Sequence, residues 1–178
     1  MNYIDKLLNI KSIDHRQSIY NIVSEEKNHL LESVDDLSGF CKYIANQIEI
    51  RLKEIGVRTY LIDLYDIDID HVFLICEYRY QENMERYLID PTYIQFTKDI
   101  GKKLVTLEQW PSEKIDKNIL KELLSNGLVK LDNQVFNSYL NSFNYPKKNI
   151  ELEDYLLNIR MNRLSKRWLI YLNKIYQN

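Results

Sequence analysis

From Phe40 to Ile55 the apolar side chains Cys41, Ile44, Ala45, Ile48, Leu52 and Ile55 recur at helical spacing, and after Gly56 that period stops. Beyond the glycine lie short runs rich in β-branched and aromatic residues: Val57 to Tyr65, then His71-Val72-Phe73-Leu74-Ile75-Cys76-Glu77-Tyr78, then Tyr87-Leu88-Ile89-Asp90 before Pro91. One amphipathic helix stopped by glycine, with several strands directly after it, demands a helix packed on a sheet. Asp36 and Ser38 offer caps for that helix, and the polar stretch Gln81 to Arg86 reads as the turn between the second and third strands. Antiparallel pairing then has a geometric consequence. The start of one strand and the end of the next lie at the same edge of the sheet, so His71 and Asp90 are expected to be neighbours.

Those positions carry chemistry. Cys41 opens the helix, where unpaired backbone N–H groups and the positive end of the dipole favour thiolate over thiol. His71 carries an imidazole that exchanges a proton near neutral pH, and Asp90 can hold that imidazole in one tautomer. Singly, each has a plainer reading: a small core thiol, a histidine satisfied at a strand entrance, a turn carboxylate before proline. Jointly, in this order and on these element types, they read as nucleophile, base and orienting carboxylate. Tyr93, Gln95 and Trp110 are the neighbours expected to line a substrate cleft, with local pairing or core packing as their plainer roles. Cys76, inside its strand, reads as core.

Helix-borne Cys41, strand-borne His71 and strand-borne Asp90 resemble, in chain order, the papain-like and transglutaminase-like thiol enzymes. The blocks that carry the resemblance are Gly39-Phe40-Cys41-Lys42-Tyr43, Asp70-His71-Val72-Phe73-Leu74 and Tyr87-Leu88-Ile89-Asp90-Pro91-Thr92-Tyr93. They look closest to the transglutaminase-like branch, which includes protein-glutamine deamidases. The resemblance spans about residues 36 to 96. It implies an α+β fold whose nucleophile helix packs on a small antiparallel sheet, and it says nothing about the flanks, where helical additions at both ends are expected from apolar spacing alone. It also implies a cysteine-nucleophile enzyme that acts on amide bonds of a peptide or protein through a thioester, with no cofactor. Deamidation or acyl transfer at glutamine is the expected outcome. A papain-like peptidase and a non-catalytic peptide- or partner-binding module are the alternatives. Lys42 departs from the aromatic residue that transglutaminases carry after the cysteine, and neither Gln17 nor Asn28 has the spacing of the papain-like oxyanion glutamine.

The flanks are expected to be helical: Ile4, Leu7, Leu8, Ile19, Ile22, Val23, Leu30 and Leu31 before the core, and Ile115, Ile119, Leu123, Phe136, Tyr139, Leu140, Leu152, Leu156 and Ile159 after it. This suggests a catalytic core over 1–110 and a helical extension over 111–178 packed on it. Arg160, Arg163, Lys166 and Arg167 beside Trp168 form a basic face there, read as solvated or as a dock for an acidic protein partner.

Twenty-four Lys and Arg balance 26 Asp and Glu, a net charge of −2, which gives no ground for a nucleic-acid partner. Asp5, Lys6, Lys11, Asp14 and Arg16 interrupt any apolar leader, and no uncharged apolar run is long enough to span a membrane. With two cysteines and no disulfide framework, a reducing cytoplasm is the expected compartment. No metal site is expected, since His15 and His29 lack a second ligand at metal spacing, and no phosphate-binding glycine loop occurs.

Overall fold

The computed structural model describes residues 13–33, 39–67, 69–97 and 109–176; for Asp66, Ser165 and residues 167–176 it describes the backbone alone. The chain is mixed α+β. Among the described residues six helices, α1 (Arg16–Ser33), α2 (Cys41–Glu54), α3 (Pro111–Lys114), α4 (Lys117–Asn126), α5 (Asn133–Ser142) and α6 (Leu152–Tyr176), accompany four strands. The strands β1 (Arg58–Asp63), β2 (Val72–Tyr80), β3 (Asn83–Ile89) and β4 (Leu128–Lys130) form one antiparallel sheet in that order. No helix among the described residues is long and apolar enough to cross a membrane.

β2 is buried on both faces over most of its length, so its period of two sorts side chains into two cores. Phe73 and Ile75, with Leu88 and Val129, face α4, α5 and the first turns of α6. Val72, Leu74, Cys76 and Tyr78, with Ile89 and Leu128, face α1 and α2. The spacing of α2 explains its seat: Cys41, Ile44, Ala45, Ile48 and Leu52 are its buried residues. It ends at Ile55, and Gly56 takes φ +82° to turn the chain into β1.

Several features differ from the sequence reading. The turn after β2 is confined to Gln81 and Glu82, and β3 pairs from Asn83 onward, Tyr80 opposite Asn83. The hairpin tip runs past both cores, which leaves Asn83 and Met84 exposed. The part after residue 110 is not wholly helical: Leu128-Val129-Lys130 pairs with β3, so the same sheet draws strands from both halves of the chain. The helical spacing of Ile4, Leu7 and Leu8 lies outside the described residues, as do the expected caps Asp36 and Ser38. Helix α2 starts on Phe40 with no side-chain cap.

The far end of the sheet is pinned by a buried carboxylate. Glu77 accepts from the Tyr60 hydroxyl at 2.7 Å, from Arg160 at 2.8 Å and from Arg86 at 3.1 Å. Arg163 donates to the Thr59 carbonyl. Half of the expected basic face on α6 is thus bound to the body of the protein, while Lys166 remains exposed.

Candidate active site

Period-two alternation puts His71, just before β2, and Asp90, just after β3, on the same face as Phe73 and Leu88. They meet there. His71 Nε2 donates to Asp90 Oδ2 at 2.9 Å, and both side chains are buried, 0% and 1% exposed. The other carboxylate oxygen, Oδ1, accepts from the Thr92 hydroxyl at 2.9 Å and the Thr92 backbone N–H at 3.2 Å. The Asp90 backbone N–H donates to the carbonyl of Gly127 at 2.8 Å. Gly127 needs to be glycine: its φ is +72°, and a Cβ there would meet Pro91 at 3.1 Å.

The C-terminal half supplies a further member, which the sequence reading placed only at helical spacing in the extension after residue 110. Tyr139 of α5 donates its hydroxyl to Asp90 Oδ2 at 2.7 Å and stands 3.2 Å from His71 Nε2. Around the imidazole, Phe143 stacks at 28° and Phe96 meets it edge-on at 4.7 Å. Tyr139 occupies an ordinary core position on an amphipathic helix, so nothing in its spacing separates it from Phe136 or Leu140. Only the sheet order, which brings α5 over the ends of β2 and β3, reveals it.

Cys41 sits at the first helical position of α2 on the opposite core and is 4% exposed. With Nε2 committed to Asp90, the remaining ring nitrogen, Nδ1, is buried without a hydrogen-bond partner among the described residues. The sulfur of Cys41, as thiolate, favours the protonated ring. Burial by itself opposes a charged imidazole; the charge and hydrogen bond of Asp90 outweigh it, Cys41 adds to them, and the His71 pKa is raised from 6.5 to about 9. Burial and Asp90 together push the Tyr139 phenol far above its usual range, which keeps it a donor. Cys76, by contrast, is fully buried in its strand, and burial pushes its thiol up to about 12.

The expected cleft residues are placed unevenly. Tyr93 is fully buried, donating to Ser142 at 3.2 Å and packing on Tyr139, Phe96 and Phe143, so it supports the His–Asp pair and offers no surface to a substrate. Gln95 follows in the same short 3-10 turn, Tyr93–Phe96; it is half-buried, and its Nε2 is without a partner among the described residues. Trp110 is half-buried at the head of α3, and among the described residues no hydrogen bond or ring contact ties it to His71 or Asp90. Gln17 and Asn28 share a separate polar recess with Lys27 on α1. No three His, Cys, Asp or Glu side chains among the described residues converge as a metal cage requires.

Chemically, the cluster holds a thiol, an imidazole with one nitrogen committed to Asp90 and the other without a hydrogen-bond partner among the described residues, and a carboxylate fixed by four donors. No protein-family model, curated protein or solved structure matches this chain.

Proposed function

We propose that the chain is a cysteine-nucleophile enzyme acting on amide groups of a peptide or protein, on a papain-like or transglutaminase-like core. The observation that carries this reading is the buried His71–Asp90 pair, 2.9 Å between Nε2 and Oδ2, whose other ring nitrogen is unpartnered among the described residues while Cys41 at a helix start bears on the same ring. Support also comes from the element order: Cys on a helix that packs on the sheet, then His and Asp at adjacent strand ends.

The steps follow from these groups. The thiolate of Cys41 attacks the amide carbon, and the C–N bond breaks as the nitrogen takes the proton of the His71 imidazolium. From a glutamine side chain the amide nitrogen leaves as ammonia, and the acyl group remains as a thioester on Cys41. Water then attacks the thioester, neutral His71 accepts its proton, and the C–S bond breaks to give glutamate and the thiolate. An amine in place of water gives transamidation. The backbone N–H groups at the first turn of α2 can receive the developing oxyanion. Asp90 keeps the imidazole oriented and compensates its charge. The cytoplasm, where the thiol stays reduced, is the compartment proposed with this chemistry.

Glutamine-containing peptides test the reading directly. Incubation is expected to release ammonia and raise the peptide mass by the amide-to-acid difference, and Cys41→Ser is expected to abolish both. Cleavage of the peptide chain without ammonia would instead favour the peptidase alternative. The 4% exposure of Cys41 favours a second reading, a peptide- or partner-binding module on the same scaffold; its signature is peptide binding with no turnover that Cys41→Ser could remove.

A further inference from the structure

A carboxylate that orients a catalytic imidazole must itself be held, because one that rotates about its Cα–Cβ and Cβ–Cγ bonds presents its oxygens in several directions. In this site Oδ1 is fully engaged from its own turn by Thr92. Oδ2, the oxygen that faces His71, has its second donor from a remote helix: the hydroxyl of Tyr139, at 2.7 Å.

We propose that Tyr139 is a positioning residue of this site, its hydroxyl holding Oδ2 of Asp90 against Nε2 of His71 so that Nδ1 is the nitrogen left toward Cys41. The inference rests on the thiol-enzyme reading above and assigns it a fourth member. It also makes α5 part of the site: the segment after residue 110 does not only cover the sheet, it supplies the donor that sets how much of the carboxylate's charge the imidazole receives. The aromatic ring is fixed for this task. It lies against Phe73, Tyr93 and Phe143, at centroid distances of 4.7, 5.6 and 5.3 Å, and is fully buried.

Sharing is the physical content of the proposal. An oxygen that accepts two hydrogen bonds divides its charge between them. Removing the Tyr139 donor returns that charge to the His71 N–H and stabilises the imidazolium; strengthening the donor withdraws it. Among the described residues, the titratable groups facing His71 are Cys41 from α2, Asp90 from the end of β3 and Tyr139 from α5, and Tyr93 lies behind Tyr139. Phe96 and Phe143 complete the wall without charge.

The test is the titration of the His71 ring followed by NMR in the full-length protein, with His71→Gln used to assign its resonances among the three histidines. Tyr139→Phe is expected to raise the His71 midpoint by about half a unit or more. Tyr93→Phe, which removes a buried hydroxyl bound to Ser142 and not to Asp90, is expected to leave it unchanged. Replacement of Tyr139 by 3-fluorotyrosine, a stronger donor of nearly the same shape, is expected to lower it, and carries the test alone if Tyr139→Phe does not fold. A midpoint that ignores both changes at position 139, or that moves as far in Tyr93→Phe, overturns the proposal. Ring resonances report independently of turnover, so an inert Cys41 would sink the functional reading without touching this result.

Discussion

The two faces of the sheet are built from different materials. Toward α1 and α2 the core is mostly aliphatic, with Ile19, Val23, Ile44, Ile48, Leu52, Leu74 and Ile89 among its buried residues. Toward α4, α5 and α6 the sheet end is walled by aromatic rings: Phe73, Tyr93, Phe96, Phe136, Tyr139 and Phe143. The first face bears the thiol and the second bears the imidazole and the carboxylate. An aliphatic core needs only volume and shape to seat the helix that presents Cys41. A buried imidazolium–carboxylate pair needs more: donors for every remaining lone pair, and rings whose edges and hydroxyls tolerate charge nearby. One side of this protein is therefore a support, and the other is a polar device wrapped in rings.

Paired substitutions, one on each face, expose that contrast. The largest effect is expected from His71→Ala, which strands the Asp90 carboxylate in the interior and costs about 3–5 kcal/mol of unfolding free energy. Ile48→Ala on the aliphatic face also destabilises, by about 2–4 kcal/mol as a cavity, but should leave the His71 titration where it was. Denaturant midpoints measure both; a His71→Ala loss under about 1 kcal/mol, the size of an ordinary net hydrogen bond, would erase the distinction.

Next comes the response to pH. The folded-state pKa of His71 is raised from 6.5 to about 9, so its contribution is fully present below pH 6.5 and is lost as pH rises through 9. Unfolding free energy should therefore fall by ~3 kcal/mol across that window. His71→Gln should flatten the slope, whereas Ile48→Ala should keep it. A wild-type profile without slope between these limits would show that the pair is not ionised as described.

A smaller effect is expected at the floor of the carboxylate. Gly127→Ala forces a side chain to φ +72° against Pro91, a cost of about 1–3 kcal/mol, and should shift the His71 resonances because the Gly127 carbonyl holds the Asp90 backbone. Unperturbed resonances with reduced stability would confine the glycine to a structural role. The smallest change is Thr92→Val, which deletes one donor to Oδ1 at a cost of ~1 kcal/mol. Thermal melts and the same ring resonances read both variants.

Much of the support side could be read in the sequence, and much of the polar device could not. Helix α2 follows from Cys41, Ile44, Ala45, Ile48 and Leu52 because helical spacing is local information. The meeting of His71 with Asp90 follows from strand order and period-two alternation, again over a short stretch of chain. The strand Leu128-Val129-Lys130 is three residues between two helices, too short to show a period. Tyr139 reaches Asp90 across 49 residues of sequence, and a tyrosine at helical core spacing carries no mark of the bond its hydroxyl will make. The hairpin tip misled for the converse reason: Asn83, Glu85 and Arg86 make it look like a turn, yet its backbone stays paired.

The proposed chemistry depends above all on Cys41 and His71 acting together, and the alkylation rate of Cys41 by iodoacetamide as a function of pH reads that coupling. Peptide mass mapping would follow wild type and His71→Ala, with buried Cys76 as the internal control. A coupled pair gives fast modification of Cys41 well below about pH 8.5, the ordinary thiol value, and loses that behaviour in His71→Ala. A Cys41 that titrates as a free thiol, or is as slow as Cys76 in both proteins, would contradict it.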